Sequence, residues 1–387
     1  YSESLSLFAE TKEIFQLHYP NFKNKTLVQK DLANTLKIIA SKGRKGFYEG
    51  EIAEKISSEI KKNNGLISKS DLKNYSPVWR EPLISNYRDT EIITMGPPSS
   101  GGLHVIQMLN ILENYDLKKI GHNSLEYINL LTEVMKFAYA DRSKYLGDPD
   151  FYDVPIKKIT SKKYANDINE NIQIGKLTPV NEINPGKYMD GESHETTHFS
   201  VVDKTGNVIS MTYTLNSTFG SKVVIEGTGI LMNNEMDDFS AAPGIPNQFN
   251  LLGAEANEIA PFKRPLSSMT PTIVLKDKEL FFTTGSPGGA RIISAVLQSI
   301  VNIIDFNMNL EDTTAAKRIH HQWYPDILEY EFTLDNTIEK NLKKMGYKTE
   351  SKLPLTCLQT IMFSDGMYYG YGDFRRVDAL ASGNIND

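Results

Sequence analysis

The chain has 387 residues, of which 40% are hydrophobic and 23% charged, and its formal net charge at pH 7 is −6. This composition is typical of a globular protein with one large core or two ordinary domains, and the acidic balance disfavours nucleic acid or an anionic membrane as a main partner. No apolar run in the sequence reaches the length of a transmembrane helix, and the single cysteine, Cys357, excludes an internal disulfide.

The first half of the chain is predicted to be mostly helical. Apolar residues recur at helical spacing over residues 27–41, 47–62, 103–115 and 124–142. A short strand over residues 91–95 leads into a Pro-Pro-Ser-Ser-Gly-Gly turn. Residues 166–195 are polar, so we expect an exposed and cleavable loop there. Because the chain begins at Tyr1 rather than Met, we also expect a processed or truncated start.

The second half is predicted to begin with a β-hairpin. Strand-like runs over residues 197–202 and 207–215 flank the turn Asp-Lys-Thr-Gly. With a three-residue loop, Gly206 takes the left-handed position that such loops favour. The register then pairs Thr196 with Thr214 and places Asn216 on the same face. Further along, the pattern predicts another hairpin over residues 269–284 and amphipathic helices over 290–306 and 338–345.

Two threonine hydroxyls and an amide at one end of a hairpin have a chemical interpretation. A Thr hydroxyl is a poor nucleophile at neutral pH unless a base is near, and the α-amine of an N-terminal Thr is such a base. Thr196 becomes N-terminal only if the Glu195–Thr196 bond is cut. A Thr-Thr-His tripeptide is also typical of a half-buried strand edge, so these residues alone leave both interpretations open.

Three further motifs could bind charge. Gly288-Gly289 lies between a strand and a helix, where backbone N–H groups bind anions, although an ordinary strand–turn–helix connection has the same pattern. Glu235 and Asp238 indicate either a shared cationic ligand or a solvated acidic turn. Ser267-Ser268 precedes a strand and offers two hydroxyls, which in isolation are those of turn residues.

Six sequence motifs together resemble those of the γ-glutamyltransferases (glutathione hydrolases), which are N-terminal-nucleophile hydrolases. They occur in the family's order and spacing, over residues 97–102, 140–149, 196–203, 233–239, 263–272 and 284–289. The resemblance implies an α/β (α+β) fold, a four-layer αββα sandwich. Residues 1–195 would be the large-subunit portion, N-terminally incomplete relative to the family, and residues 196–387 the small subunit; both would form one αββα unit.

The resemblance also implies the chemistry. Thr196, oriented by Thr214, would cut the Glu195–Thr196 bond and then carry the γ-glutamyl group of glutathione to water or to an amino-acid or peptide acceptor. The two subunits would pair as a heterodimer, in the periplasm or outside the cell, with no cofactor and no metal. The remaining roles would be an oxyanion hole (Gly288, Gly289), an α-ammonium site (Asn216, Glu235, Asp238) and an α-carboxylate site (Ser267, Ser268).

The sequence departs from the family pattern in two places. The family's large subunit has an N-terminal Arg that binds the same α-carboxylate, and that segment precedes this chain; Arg375-Arg376 matches a C-terminal motif only loosely. This predicts either a longer protein or a reduced affinity for γ-glutamyl compounds. The loop 243–253 corresponds to the lid over the glutamyl pocket, where Phe249 replaces the Tyr of many bacterial members and lacks its hydroxyl.

Alternatives to this function come from two classes. A related acylase would cleave cephalosporins or glutaryl amides, and the polar set around Glu235, Asp238 and Ser267-Ser268 disfavours it. A non-catalytic or impaired remnant would fold without turning over any γ-glutamyl anilide. His198 shares the strand face of Thr196, and we expect it to have a structural role.

Overall fold

The computed structural model describes residues 2–16, 26–183, 196–242, 245–248, 250–354 and 356–383. The α-helices are α1 Ser2–Leu5, α2 Ala9–Thr11, α3 Lys30–Lys42, α4 Arg44–Tyr48, α5 Gly50–Lys62, α6 Lys69–Asn74, α7 Gly101–Leu112, α8 Leu117–Ile120, α9 Leu125–Tyr145, α10 Ile156–Ile159, α11 Lys162–Asn169, α12 Arg291–Ile304, α13 Leu310–Ala315 and α14 Asn336–Lys344. The strands are β1 Leu83–Tyr87, β2 Thr90–Thr94, β3 Thr197–Val202, β4 Val208–Tyr213, β5 Val224–Ile225, β6 Ile230–Leu231, β7 Thr272–Lys276, β8 Glu279–Thr284, β9 Ile319–His320, β10 Leu328–Glu331, β11 Thr349–Lys352, β12 Gln359–Ser364 and β13 Met367–Gly372.

The long helices confirm the helices predicted from the apolar spacing of the sequence. Two predictions for the first half of the chain need correction. The single helix expected over residues 47–62 is broken, because Glu49 is extended and Gly50 has φ +68°, which ends α4 and starts α5. The expected exposed loop is wrong over its first part, where α11 overlaps it and Ile172 and Ile183 are buried. Among the described residues, none of the helices combines the length and apolar character needed to cross a bilayer.

The chain forms two compact units. The first contains Tyr1–Trp79 and Leu215–Glu235. Its small core joins Ile52 and Ile56 on α5 to Ile225 on β5. The side chain of Thr35 on α3 donates a hydrogen bond to the carbonyl of Thr228 at 2.8 Å. Apolar packing and this buried hydrogen bond therefore tie the helices to the later segment of the same unit.

The second unit contains Arg80–Thr214 and Met236–Asp387 and is built on a six-stranded antiparallel sheet. The strand order is β1-β2-β7-β8-β12-β13. Helices α7, α9 and α12 share one hydrophobic core with it, which joins Ile92, Val274 and Phe282 of the strands to Leu109 and Ile293 of the helices. Burial of this apolar surface is what holds strands distant in sequence side by side.

The hairpin of β3 and β4 lies against two strands of this sheet. Ser210 Oγ donates to the Thr284 carbonyl at 3.3 Å, and Ser200 Oγ donates to the Gln359 carbonyl at 3.2 Å. The turn between β3 and β4 has the predicted form, since Gly206 has φ +85° and the Asp203 N–H donates to the Asn207 carbonyl at 3.0 Å. Hydrogen bonds from Asn207 and Thr205 lower the pKa of the Asp203 carboxyl, which therefore stays ionised and holds the turn.

Candidate active site

The two predicted threonines meet at the end of this hairpin. Thr196 lies one residue before β3 and Thr214 one residue after β4. The last pair of the ladder is Thr197 with Tyr213, which confirms the predicted register. Thr196 Oγ1 lies 3.4 Å from Thr214 Oγ1, and the Thr196 side chain is 8% exposed. The structure thus brings the two hydroxyls together in a sheltered position, while Glu195, on the other side of the predicted cleavage bond, lies outside the described residues.

His198 is a neutral packing residue next to this pair. Its Nδ1 lies 2.8 Å from Thr212 Oγ1, and its Nε2 lies 3.2 Å from Ser200 Oγ. Burial lowers the pKa of His198 to about 4, so the ring is uncharged at neutral pH. The ring also fills the space beside Gly285, where a Cβ atom would fall well inside 3.0 Å of it. This contact places the start of the hairpin beside the turn that follows β8.

That turn carries the two predicted oxyanion donors. Gly288 has φ +136° and Gly289 has φ +55°, values that L-residues with side chains adopt rarely. Their carbonyls accept hydrogen bonds from Arg291 and Ile292 in the first turn of α12, at 3.0 and 3.2 Å. Within the described part of the chain, the N–H groups of both glycines have no protein acceptor. The arrangement supplies N–H donors at a helix N-terminus, which is a geometry that binds negative charge.

The predicted carboxylate ligands lie next to a second serine pair. Ser99 and Ser267 form an isolated parallel bridge, and the N–H and hydroxyl of Ser100 both donate to the Ser267 carbonyl at 2.8 Å. Ser267 Oγ accepts the Met269 N–H at 3.1 Å. Ser267 and Ser268 are both partly exposed. The Met269 N–H therefore holds the Ser267 hydroxyl, while both serine residues keep part of their surface exposed.

Arg142 is the functional candidate that sequence reasoning missed. It lies near the end of α9 and is 4% exposed. Its Nε donates to Ser100 Oγ at 2.9 Å and its Nη2 donates to Ser268 Oγ at 3.1 Å. Arg142 and Ser100 belong to two of the motifs that carry the family resemblance and that had no role assigned. A polar residue in a family motif without an assigned role was the signal that could have identified Arg142 and Ser100 from the sequence.

The acidic residues form a turn that also contacts the middle of the predicted lid loop, at Gln248. Glu235–Asp238 is one turn of 3₁₀-helix. The Asp238 carbonyl accepts a hydrogen bond from Asn257 Nδ2 at 2.7 Å, and Asp237 Oδ2 accepts the Gln248 N–H at 2.8 Å. Loop residues just before the predicted lid residue are thereby attached to the acidic turn. Phe249 itself lies outside the described residues.

Asn216 and Glu235 belong to the first unit. Asn216 is 3% exposed and has φ +74°, an unusual conformation for a residue with a side chain. Its Nδ2 donates to the Asn234 carbonyl at 3.3 Å, and the Asn234 side chain in turn accepts the Ser217 N–H at 2.9 Å. The Glu235 N–H donates to Asn233 Oδ1 at 3.0 Å. A buried side chain held in a strained backbone conformation is a pattern frequent at functional sites.

Arg375 of the C-terminal Arg motif has a structural role in the second unit. Arg375 is paired with Glu331 at 2.6 Å and with Asp373 at 3.2 Å, and all three side chains are fully buried. Arg318 joins the same group through Asp373 at 2.9 Å. Arg375 is therefore committed to an internal ion cluster. Cys357 is buried, and burial raises the pKa of its thiol to about 11.

Known proteins match this chain over nearly its whole length. The profile of the gamma-glutamyltranspeptidase family matches residues 2–383. The glutathione hydrolase proenzyme of Escherichia coli (strain K12) is 50% identical over 384 residues, which are 99% of this chain and 66% of that protein. The glutathione hydrolase proenzyme of Pseudomonas sp. (strain A14) is 42% identical over 368 residues, which are 92% of this chain and 64% of that protein. The chain thus spans a little under two-thirds of the length of these relatives.

A solved structure supports the fold. The crystal structure of a cephalosporin acylase from Bacillus halodurans is similar to this chain with a TM-score of 0.77 and 27% sequence identity. The similarity covers 90% of this chain and 61% of the acylase chain. Together with the mixed helices and antiparallel sheets, this confirms the predicted fold class, the αββα sandwich of the N-terminal-nucleophile hydrolases.

Proposed function

The chain belongs to the gamma-glutamyltranspeptidase family, and on that premise we propose that it forms the nucleophile-bearing part of a self-cleaving γ-glutamyltransferase and glutathione hydrolase. Family membership confirms the resemblance found in the sequence motifs. The observation that carries the proposal is the pair of hydroxyls at the start of β3, where Thr196 Oγ1 lies 3.4 Å from Thr214 Oγ1. A second hydroxyl at that distance can orient the first for attack.

The first reaction is self-cleavage. Thr196 Oγ attacks the carbonyl carbon of Glu195, the C–N bond to Thr196 breaks, and an ester joins Glu195 to the Thr196 side chain. Water then hydrolyses the ester and leaves a Glu195 carboxylate and a free Thr196 α-amine. The two products contain residues 1–195 and 196–387, respectively, and stay paired as a heterodimer. Thr196 now has the base that its hydroxyl needs.

The second reaction uses the same hydroxyl on the substrate. The α-amine accepts the Thr196 hydroxyl proton while Oγ attacks the γ-carbonyl carbon of glutathione or a related γ-glutamyl compound. The Gly288 and Gly289 N–H groups stabilise the oxyanion, and removal of one such donor typically raises a barrier by about 2.7–4 kcal/mol. Cysteinylglycine leaves with a proton, and water or the amine of an amino acid or peptide then takes the γ-glutamyl group from Thr196.

Recognition of the glutamyl group rests on its two charges. Asn216, Glu235 and Asp238 accept hydrogen bonds from the α-ammonium, and Ser267-Ser268 donates to the α-carboxylate. A substrate that lacks either charge leaves polar groups that are at least partly buried without partners, which is a basis for discrimination. We also propose, from the family resemblance, that this enzyme acts in the periplasm or outside the cell.

The experiment is the intact mass of the complete gene product under denaturing conditions, for wild type, Thr196→Ala and Thr197→Ala. Thr197 is a matched control, because it is the adjacent threonine and its side chain is exposed. We expect two fragments that meet at Glu195/Thr196 and turnover of L-γ-glutamyl-p-nitroanilide for wild type and Thr197→Ala. We expect a single inactive chain for Thr196→Ala. An uncleaved Thr196→Ala variant with full activity would refute the proposal.

The second candidate is an acylase, favoured by the TM-score of 0.77 against the Bacillus halodurans cephalosporin acylase. Glutaryl and γ-glutamyl anilides both carry the carboxylate and differ only by the α-ammonium, which Asn216, Glu235 and Asp238 would bind. Comparison of kcat/KM for the two anilides separates the activities. A γ-glutamyltransferase prefers the γ-glutamyl compound, and equal or better turnover of the glutaryl compound identifies an acylase.

A further inference from the structure

Arg142 differs from the other deeply buried arginines of the second unit. Arg291, Arg318 and Arg375 each pair with a carboxylate, at 2.6, 2.9 and 2.6 Å. Arg142 is 4% exposed, yet no carboxylate of the described residues lies within ion-pair distance of it. A buried cation without an anionic partner is costly for a fold to maintain. Such a cost is typical of a functional site whose anion arrives with the substrate.

The neighbouring acid does not neutralise this charge. Asp141 points to other partners, with Gln107 Nε2 donating at 2.6 Å and the Tyr164 hydroxyl at 3.0 Å. Burial raises the pKa of Asp141 to about 6. Burial also lowers the pKa of Arg142, to about 10, so the guanidinium remains charged at neutral pH. The side chain thus presents one full positive charge at the inner side of the serine pair.

The hydrogen bonds of Arg142 fix the direction of the Ser268 hydroxyl. A guanidinium only donates hydrogen bonds, so Ser268 Oγ must accept from Arg142 Nη2 at 3.1 Å. Its own hydrogen is then left to point elsewhere, and no acceptor for it lies among the described residues. Ser267 Oγ has the same arrangement, since it accepts the Met269 N–H at 3.1 Å. Two neighbouring hydroxyls that are free to donate a hydrogen bond each match the two oxygens of one carboxylate.

We propose that Arg142 is a positioning and specificity-determining residue for the α-carboxylate of the γ-glutamyl donor. It holds Ser268 as a hydrogen-bond donor and supplies the positive charge that favours an anion at this serine pair. The inference deepens the proposed function and depends on it. Asp238, whose carboxylate lies close enough to act on the charge of Arg142, supplies the opposite charge for the α-ammonium. A zwitterionic amino-acid end is thus the ligand that satisfies both.

The test compares two donors in the complete gene product. One is L-γ-glutamyl-p-nitroanilide, and the other is 4-aminobutyryl-p-nitroanilide, which has the same chain and amine but no α-carboxylate. For Arg142→Met we expect KM for the γ-glutamyl donor to rise about 10- to 100-fold, the effect of losing one charge-assisted hydrogen bond, with kcat changed much less. The values for the donor without a carboxylate should stay within about threefold of wild type.

Three further variants complete the design. Ser268→Ala combined with Arg142→Met should lose less than the product of the two single losses, because Arg142 acts through Ser268. Arg142→Lys keeps the charge without the forked geometry, so its KM for the γ-glutamyl donor should lie between those of wild type and Arg142→Met. It also serves as the test variant if Arg142→Met does not fold. Arg88→Met is the matched control, since Arg88 pairs with Asp305 at 2.9 Å and should leave both KM values unchanged.

The outcomes separate the two proposals. Equal losses on both donors, or no change of KM in Arg142→Met, would overturn the role of Arg142 while leaving the γ-glutamyl activity intact. Wild-type protein that cleaves itself but turns over neither donor would refute the proposed function itself, and the role of Arg142 with it. The extent of self-cleavage and the melting temperature of each variant show whether the fold is retained.

Discussion

Gly285→Ala tests whether the packing of His198 holds the start of the hairpin in place. A Cβ atom at residue 285 would lie well inside 3.0 Å of the Cε1, Nδ1 and Nε2 atoms of His198. The ring cannot rotate away freely, because Thr212 and Ser200 hold its two nitrogens at 2.8 and 3.2 Å. The alanine must therefore displace the ring, and with it the strand that begins beside Thr196.

The expected cost follows from these contacts. Overpacking of a tight interior typically costs about 1–3 kcal/mol. Loss of the two His198 hydrogen bonds adds about 1 kcal/mol for each bond. We therefore expect Gly285→Ala to lower the free energy of unfolding by about 3–5 kcal/mol, a large share of the roughly 5–15 kcal/mol that stabilises a typical protein. Self-cleavage should also slow, because displacement of His198 moves the nucleophile hairpin.

The measurement is urea unfolding together with the fraction of self-cleaved chain. Gly383→Ala is the matched control, since nothing lies within 4 Å of a Cβ at residue 383. The double variant Gly285→Ala/His198→Ala removes the ring that the new methyl group would meet, so it should be less destabilised than the sum of its single changes. If Gly285→Ala behaves like Gly383→Ala in both assays, the reasoning about this contact is wrong.

Three other predictions follow from buried groups. Burial lowers the pKa of His198 to about 4, so between about pH 6.5 and 4 His198 takes up a proton only in the unfolded chain. The free energy of unfolding should therefore fall by up to about 3 kcal/mol as the pH drops through that window. Urea unfolding of His198→Gln should show a shallower pH dependence than wild type, and an unchanged slope would contradict this. Burial raises the pKa of Cys357 to about 11, so iodoacetamide at pH 8 should modify it slowly in the native protein and rapidly in urea, as mass spectrometry can detect; rapid native modification would argue against burial. Arg318→Met leaves the buried Asp373 without its partner at 2.9 Å and should destabilise the protein by about 3–5 kcal/mol in urea unfolding, whereas a loss below about 1 kcal/mol would mean that Arg375 alone suffices.

Local spacing in the sequence was sufficient to predict those features of the structure that depend on residues close together in the chain. The turn at Gly206 sets the register of one hairpin, and this placed Thr196 opposite Thr214, as the structure confirms. Helical periodicity found α7, α9 and α12, because an amphipathic or buried helix repeats its apolar residues about every 3.6 positions. A similar local signal went unused at Asp365-Gly366, where both residues have positive φ and join β12 to β13.

Contacts between distant segments required the tertiary structure. Strand β2 pairs with β7 across more than 170 intervening residues, and no local pattern specifies such a partner. Arg142 reaches Ser268 across 126 positions, and Arg375 pairs with Glu331 across 44. The sequence alone could not tell which arginine lies next to the serine pair and which belongs to an internal ion cluster.

The sequence by itself thus determined the family, the hairpin that begins beside Thr196 and the helix and turn positions, because each depends on residues close together in the chain or on motifs that can be read directly. The tertiary structure alone decided the strand order, the contact of an uncharged His198 ring with Gly285 and the position of Arg142 beside Ser268. The physical reason is that burial and charge pairing depend on which segments the collapsed core brings together.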